Sequence, residues 1–203
     1  MKIICVGMNY ADHVSEFRSP KPTKPVIFMK PDTALLRSNL PFYHPDFSEE
    51  IHYECELILR ICKEGKYIDQ KFAHKYYDQI GLGLDFTARD LQSQFKSKGL
   101  PWELAKAFDQ SAVVSSFFPK DDFPNVQNLN FSLFQNGVMK QKGNTSEMIF
   151  GVDEILSFAS RFFTLKTGDI IFTGTPKGVD KIKIGDKLEA YLEDKKVLEC
   201  EVK

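Results

Sequence analysis

Two segments of this chain, IHYECELILR at 51–60 and GLGLDFTARD at 81–90, read as buried strand and yet carry carboxylates: Glu54 and Glu56 in the first, Asp85 in the second. A fold that buries these strands has to satisfy the charges as well. Side chains alternate along a strand, so Tyr53, Cys55, Leu57 and Leu59 take one face while Glu54, Glu56, Ile58 and Arg60 take the other. Two unpaired carboxylates side by side in a half-buried sheet repel each other and carry a desolvation cost that a bound divalent ion removes. Asp85 would complete a set of hard oxygen ligands suited to Mg²⁺ or Mn²⁺. Spacing alone leaves a second reading open, in which the glutamates lie on a solvated strand face and Asp85 opens a turn.

The 203 residues fit one domain, 1–203, able to bury its own core. With 27 basic against 28 acidic residues the net charge is −1, which argues against a nucleic-acid or membrane-surface partner. The N-terminal MKIICVGMNYADH is broken at Gly7 and Asn9, too early for the apolar stretch of a signal peptide. No apolar run reaches the length of a membrane-spanning helix. Cys5, Cys55, Cys62 and Cys200 form no C-x-x-C pair, so reduced thiols, a cytoplasmic location and no zinc are expected.

The pattern predicts a strand at 2–7, a short helix around Asp12–Phe17, a strand at VIFMK, and an irregular Pro-containing segment from Pro31 to Ser48. A helix is expected over 69–78, a glycine-containing strand over 80–86, and a helix through TARDLQSQFKSK. The segment LNFSLFQNGVMKQ reads as a hairpin turning at Asn136 and Gly137. One more helix runs from near Asp153 to Arg161, and strands follow to the end. Together these give an α+β, strand-rich chain.

The carboxylate segments occur in order with CVGMNYADH at 5–13, KGLPWELAKAFD at 98–109 and TGTPKGV at 173–179. In this combination the chain resembles the fumarylacetoacetate hydrolase family, in its short single-domain branch of acylpyruvate hydrolases and oxaloacetate decarboxylases. The resemblance implies a mixed β-sandwich roll, a homodimer, and Mg²⁺, with Mn²⁺ as substitute, on Glu54, Glu56 and Asp85. It implies as substrate a small 2-oxo acid and, as first activity, hydrolysis of a C–C bond in an acylpyruvate through a metal-stabilised enolate. Oxaloacetate decarboxylation and isomerisation of 2-hydroxyhepta-2,4-diene-1,7-dioate are the alternatives on the same site. A metal-binding protein without catalysis is the reading from a different class.

The resemblance also assigns roles. His13 and Glu16 match a base and the carboxylate that orients it, and three residues apart on a helix they share a side. Lys106 matches an electrostatic stabiliser. Gln92 and Thr175 are expected to hold the substrate. Relatives often read GRNYADH where this chain has Met8, so Arg18 or Lys30 is expected to stand in for that guanidinium. Arg89 and Asp90 are expected to form an ion pair behind Asp85, and His52 to stay outside the ligand set.

Overall fold

Alternating apolar positions drive most of the chain into strands, and a computed structural model describes residues 1–12 and 20–203. In chain order the strands are β1 (Ile3–Gly7), β2 (Val26–Lys30), β3 (Leu35–Arg37), β4 (Ile51–Tyr53), β5 (Cys55–Ile61), β6 (Tyr77–Asp85), β7 (Thr87–Ala88) and β8 (Ala112–Val114). They continue as β9 (Phe118–Pro119), β10 (Asn130–Gln135), β11 (Val138–Asn144), β12 (Ile170–Phe172), β13 (Asp180–Lys181), β14 (Lys187–Leu192) and β15 (Lys195–Glu201). The α-helices are α1 (Arg89–Lys98), α2 (Glu103–Lys106) and α3 (Val152–Phe162).

An eight-stranded sheet runs β2-β1-β12-β5-β6-β8-β3, with β9 added beside β6. It is mixed: β1 lies parallel to β12 and β3 to β8, and the other neighbours are antiparallel. A four-stranded sheet, β11-β10-β14-β15, and a small sheet, β13-β4-β7, complete the strand-rich α+β architecture. The alternation read from β5 holds. Cys55, Leu57, Leu59 and Ile61 enter the larger core, while Ile58 joins Ile3, Cys5, Ala112, Ile170 and Phe172 in a second, smaller one. That smaller core is drawn from the large sheet and the turn entering β3, so the sheet curls around it. Gly83 makes room at its centre: a Cβ there would stand 2.5 Å from the Phe172 ring.

Several sequence expectations need correction. The segment 51–60 is not one strand; the chain leaves the small sheet after Tyr53 and enters the large one at Cys55, with Glu54 in the gap. Residues 69–78 form a 3₁₀ turn (Gln70–Lys75) and then join β6, because pairing with β5 begins already at Tyr77↔Ile61. The segment 31–48 contains β3, three residues whose strand state rests on distant pairing with β8 rather than on local pattern. The hairpin turn is as read, with φ 53° at Asn136 and 78° at Gly137, the left-handed pair a type I′ turn requires. The α1 helix ends on Gly99 at φ 64°. No helix among the described residues is long and apolar enough to cross a membrane.

Candidate metal centre

Glu56 is delivered by the inward face of β5, Asp85 by the last residue of β6, and Glu54 by the gap before β5. A backbone hydrogen bond from Asp85 N to Glu54 O (2.8 Å) sets the two chain segments side by side. One oxygen from each of the three carboxylates can be chosen so that all lie within 4.8 Å of one another, and all three residues are buried. The solvated-face reading of the glutamates is therefore excluded.

Cations surround the cluster. Lys106, 3% exposed and carried by α2, donates to Glu54 Oε2 at 2.8 Å and to Asp85 Oδ2 at 2.7 Å. Arg89, at the start of α1, donates from Nη2 to Glu54 Oε1 at 2.5 Å and from Nη1 to Gln92 Oε1 at 2.6 Å. Lys30 at the end of β2 places Nζ 2.8 Å from Asp85 Oδ1. The same ammonium donates to the carbonyls of Phe86 (3.2 Å), Ser111 (3.1 Å) and Lys106, so it pins the α2 backbone as well as Asp85. On the far side Gly174 N donates to Glu56 Oε2 at 2.6 Å. Gly174 has φ 100°, and a Cβ there would lie 2.6 Å from Asn9 Cβ. Asn9, itself buried, ties the loop after β1 to Phe150 and Thr173 through Nδ2 (3.0 and 2.7 Å) and accepts from Phe150 N at 2.8 Å.

The electrostatics follow from this packing. Burial first, and then the neighbouring Asp85 and Glu54, push the Glu56 carboxyl well above its ordinary range. Burial works against a charged Lys106, but Asp85 and Glu54 outweigh it and hold the ammonium above the usual lysine value. Asp85 Oδ1 is buried and, despite the nearby Lys30, makes no aligned hydrogen bond. Three convergent hard-oxygen donors, one of them with its charge disfavoured by burial and by its carboxylate neighbours, fit a divalent ion.

The expected site residues divide as follows. Glu54, Glu56, Asp85, Lys106 and Gln92 come together, Gln92 through Arg89. His13, Glu16 and Arg18 lie outside the described residues. Lys30 corrects its expectation: its side chain is fully buried against Asp85 and cannot reach a distal substrate group. Thr175 is also spoken for, since its hydroxyl donates to Cys55 O (2.8 Å) and accepts from Gln141 Nε2 (2.8 Å). Arg89 pairs with Glu54 rather than Asp90, which accepts instead from Ser48 Oγ at 2.7 Å. His52 Nε2 sits 3.2 Å from Glu50 Oε2, and the residue stays outside the ligand cluster.

Comparison with known proteins identifies the chain's family. A family model described as fumarylacetoacetate (FAA) hydrolase C-terminal matches residues 2–203. The chain is 46% identical over 191 residues to the oxaloacetate tautomerase FAHD1, mitochondrial, of Mus musculus, covering 94% of this chain and 86% of that protein. It is 41% identical over 189 residues to the oxaloacetate decarboxylase, mitochondrial, of Dictyostelium discoideum, covering 93% and 87%. The crystal structure of fumarylpyruvate hydrolase from Pseudomonas aeruginosa in complex with Mn²⁺ and pyruvate superposes with a TM-score of 0.95 at 34% identity, covering 100% of this chain and 89% of that one. With its carboxylate triad, its curled sheet and a match along nearly its whole length, the chain belongs to the fumarylacetoacetate hydrolase family.

Proposed function

We propose that this chain is a divalent-metal-dependent enzyme of small 2-oxo acids, using Mg²⁺ with Mn²⁺ as substitute, and that its principal reaction is keto–enol conversion of an oxaloacetate-type dicarboxylate. The observation that carries this reading is the buried meeting of Glu54, Glu56 and Asp85 with the Lys106 ammonium, in a chain whose relatives are named for oxaloacetate. A divalent ion on the three carboxylates would supply Lewis-acid polarisation of the 2-oxo group.

The remaining work falls to the chain's own side chains. Keto–enol conversion moves one proton from C3 to the 2-oxo oxygen and consumes nothing else. Lys106 is held charged by its two carboxylates, so it acts as a fixed positive charge beside the oxygen that gains electron density, not as the base. Arg89 occupies the Gln92 carbonyl, which leaves the Gln92 amide hydrogens as donors for a substrate carboxylate. His13, oriented by Glu16, is the base in this reading. Thr175 and Lys30 serve as positioning residues for β5 and Asp85 rather than as substrate ligands. A homodimer and a cytoplasmic location are carried as part of the same proposal.

Hydrolysis of an acylpyruvate is the second reading, favoured by the likeness to the fumarylpyruvate hydrolase solved with Mn²⁺ and pyruvate. The test mixes purified protein with enol-enriched oxaloacetate, or with acetylpyruvate, in Mg²⁺, Mn²⁺ or EDTA, following enol absorbance and pyruvate release. Metal-dependent loss of enol absorbance that outruns pyruvate release is the expected result. Faster, metal-dependent cleavage of acetylpyruvate would put the hydrolase first, and conversion undiminished by EDTA would overturn the metal-dependent reading.

A further inference from the structure

The inward face of β5 reads Glu56, Ile58, Arg60, so the strand that presents a carboxylate at one end of the curled sheet presents a guanidinium at the other. Four residue steps along the strand set the two about 13 Å apart. At the Arg60 end lies a cavity of about 400 Å³. Its floor is the end of the smaller core, Leu35, Val114 and Ile170. Arg37, two residues beyond Leu35 on β3 and therefore on the same face, lines it together with Arg60.

The charges in this cavity are one-sided. No Asp or Glu is among its lining residues within the described part of the chain, although the chain as a whole has a net charge of −1. Asp169, between the lining residues Gly168 and Ile170, is committed to the backbone N–H and ammonium of Lys2. Arg37 makes no side-chain hydrogen bond or ion pair among the described residues. Arg60 donates to the neutral Gln79 carbonyl at 3.2 Å and lies 5.7 Å over the Phe117 ring, which fixes its plane without neutralising it. A guanidinium offers paired donors that match a carboxylate or phosphate. Two of them without a carboxylate, facing one concavity, define an anion acceptor. We propose that this cavity binds a small molecule bearing a carboxylate or phosphate group, independently of the acidic triad. Its occupant would join Arg37 on β3 to Arg60 on β5 across β6 and β8, so binding would also hold the curl of the sheet closed.

The full chain in EDTA is titrated with inorganic phosphate and, separately, with succinate, which has no 2-oxo group. Sodium chloride at matched ionic strength is the control, and thermal denaturation and calorimetry are the readouts. A saturable rise in melting temperature beyond the chloride control is expected, and the stronger of the two ligands identifies the group recognised. Arg37→Ala, which removes a side chain with no partner to lose, should weaken binding about tenfold or more, and Arg60→Gln should do the same. Glu56→Gln should leave it unchanged. A response no larger than that to chloride, wild-type affinity in Arg37→Ala, or loss of binding in Glu56→Gln would each overturn the proposal.

Discussion

Replacing Lys106 by methionine keeps the length and apolar stem of the side chain and removes one buried positive charge. Its ammonium lies 2.8 Å from Glu54 and 2.7 Å from Asp85, and both carboxylates are buried. Breaking a buried ion pair from one side costs about 3–5 kcal/mol, because the partner charge is left uncompensated. Here the loss is smaller, since Arg89 still holds Glu54 Oε1 at 2.5 Å and Lys30 still lies 2.8 Å from Asp85 Oδ1. About 2–3 kcal/mol is the reasoned figure, which for a chain of this size lowers the melting temperature by roughly 4–12 °C in EDTA. Saturating Mg²⁺ or Mn²⁺ restores positive charge to the same carboxylates. The metal-induced rise in melting temperature should therefore be larger in Lys106→Met than in wild type. Thermal denaturation of both proteins, with and without metal, reads this directly. Equal losses in EDTA and in metal would mean that Lys106 and the ion do not share the carboxylates, and no loss in EDTA would mean that the ammonium is not their counterion.

Three further outcomes follow from the same packing. Glu56, raised above its ordinary value of 4.5, keeps a proton in the metal-free folded state that the unfolded chain gives up. Its contribution to stability is thus greatest below the ordinary value and declines as pH rises toward the raised one, and metal binding expels the proton, so apparent metal affinity should climb as pH rises above the ordinary carboxylate value. Calorimetry in buffers of different ionisation heat should register that proton, and buffer-independent heats would contradict it. Arg89→Lys cannot bridge Glu54 and Gln92 with one planar group, and should lower metal affinity about 10- to 100-fold with the fold intact; a change under about twofold would remove Arg89 from the site. Gly83→Ala forces a methyl against Phe172 and should cost about 1–3 kcal/mol in denaturant unfolding, whereas wild-type stability would show that the ring moves freely.

Glu54, Glu56 and Asp85 stand out as carboxylates in apolar segments, but spacing leaves the solvated-face reading open, and it is the resemblance that implies a metal set; parity applies to Glu56 within β5, whereas Glu54 lies in the gap before it. Lys106 and Gln92 were legible only by resemblance. Lys30 reads as a stand-in for the guanidinium missing at Met8 because nothing local shows that the end of an edge strand turns its side chain inward to Asp85. Arg89 pairs with Glu54 and not with Asp90 because successive helical residues do not face each other, so its partner comes from elsewhere in the fold. Thr175 sits in a loop that suggests a ligand cradle, and its hydroxyl serves β5 instead. The break at Glu54 was hidden because apolar alternation continues unchanged on both sides of it.

That break has a mechanical consequence. Glu54 and Asp85 stand where two neighbouring stretches of chain cross together from the large sheet to the small one, β4 before β5 and β7 after β6, and a backbone hydrogen bond fastens them to each other. Glu56 belongs wholly to the large sheet and is gripped from behind by Gly174. Any rocking of the small sheet would therefore carry Glu54 and Asp85 as a coupled pair while Glu56 stays on its anchor. Two jaws moving against one fixed post can change their grip on a cation without either sheet giving up a rung of its own ladder.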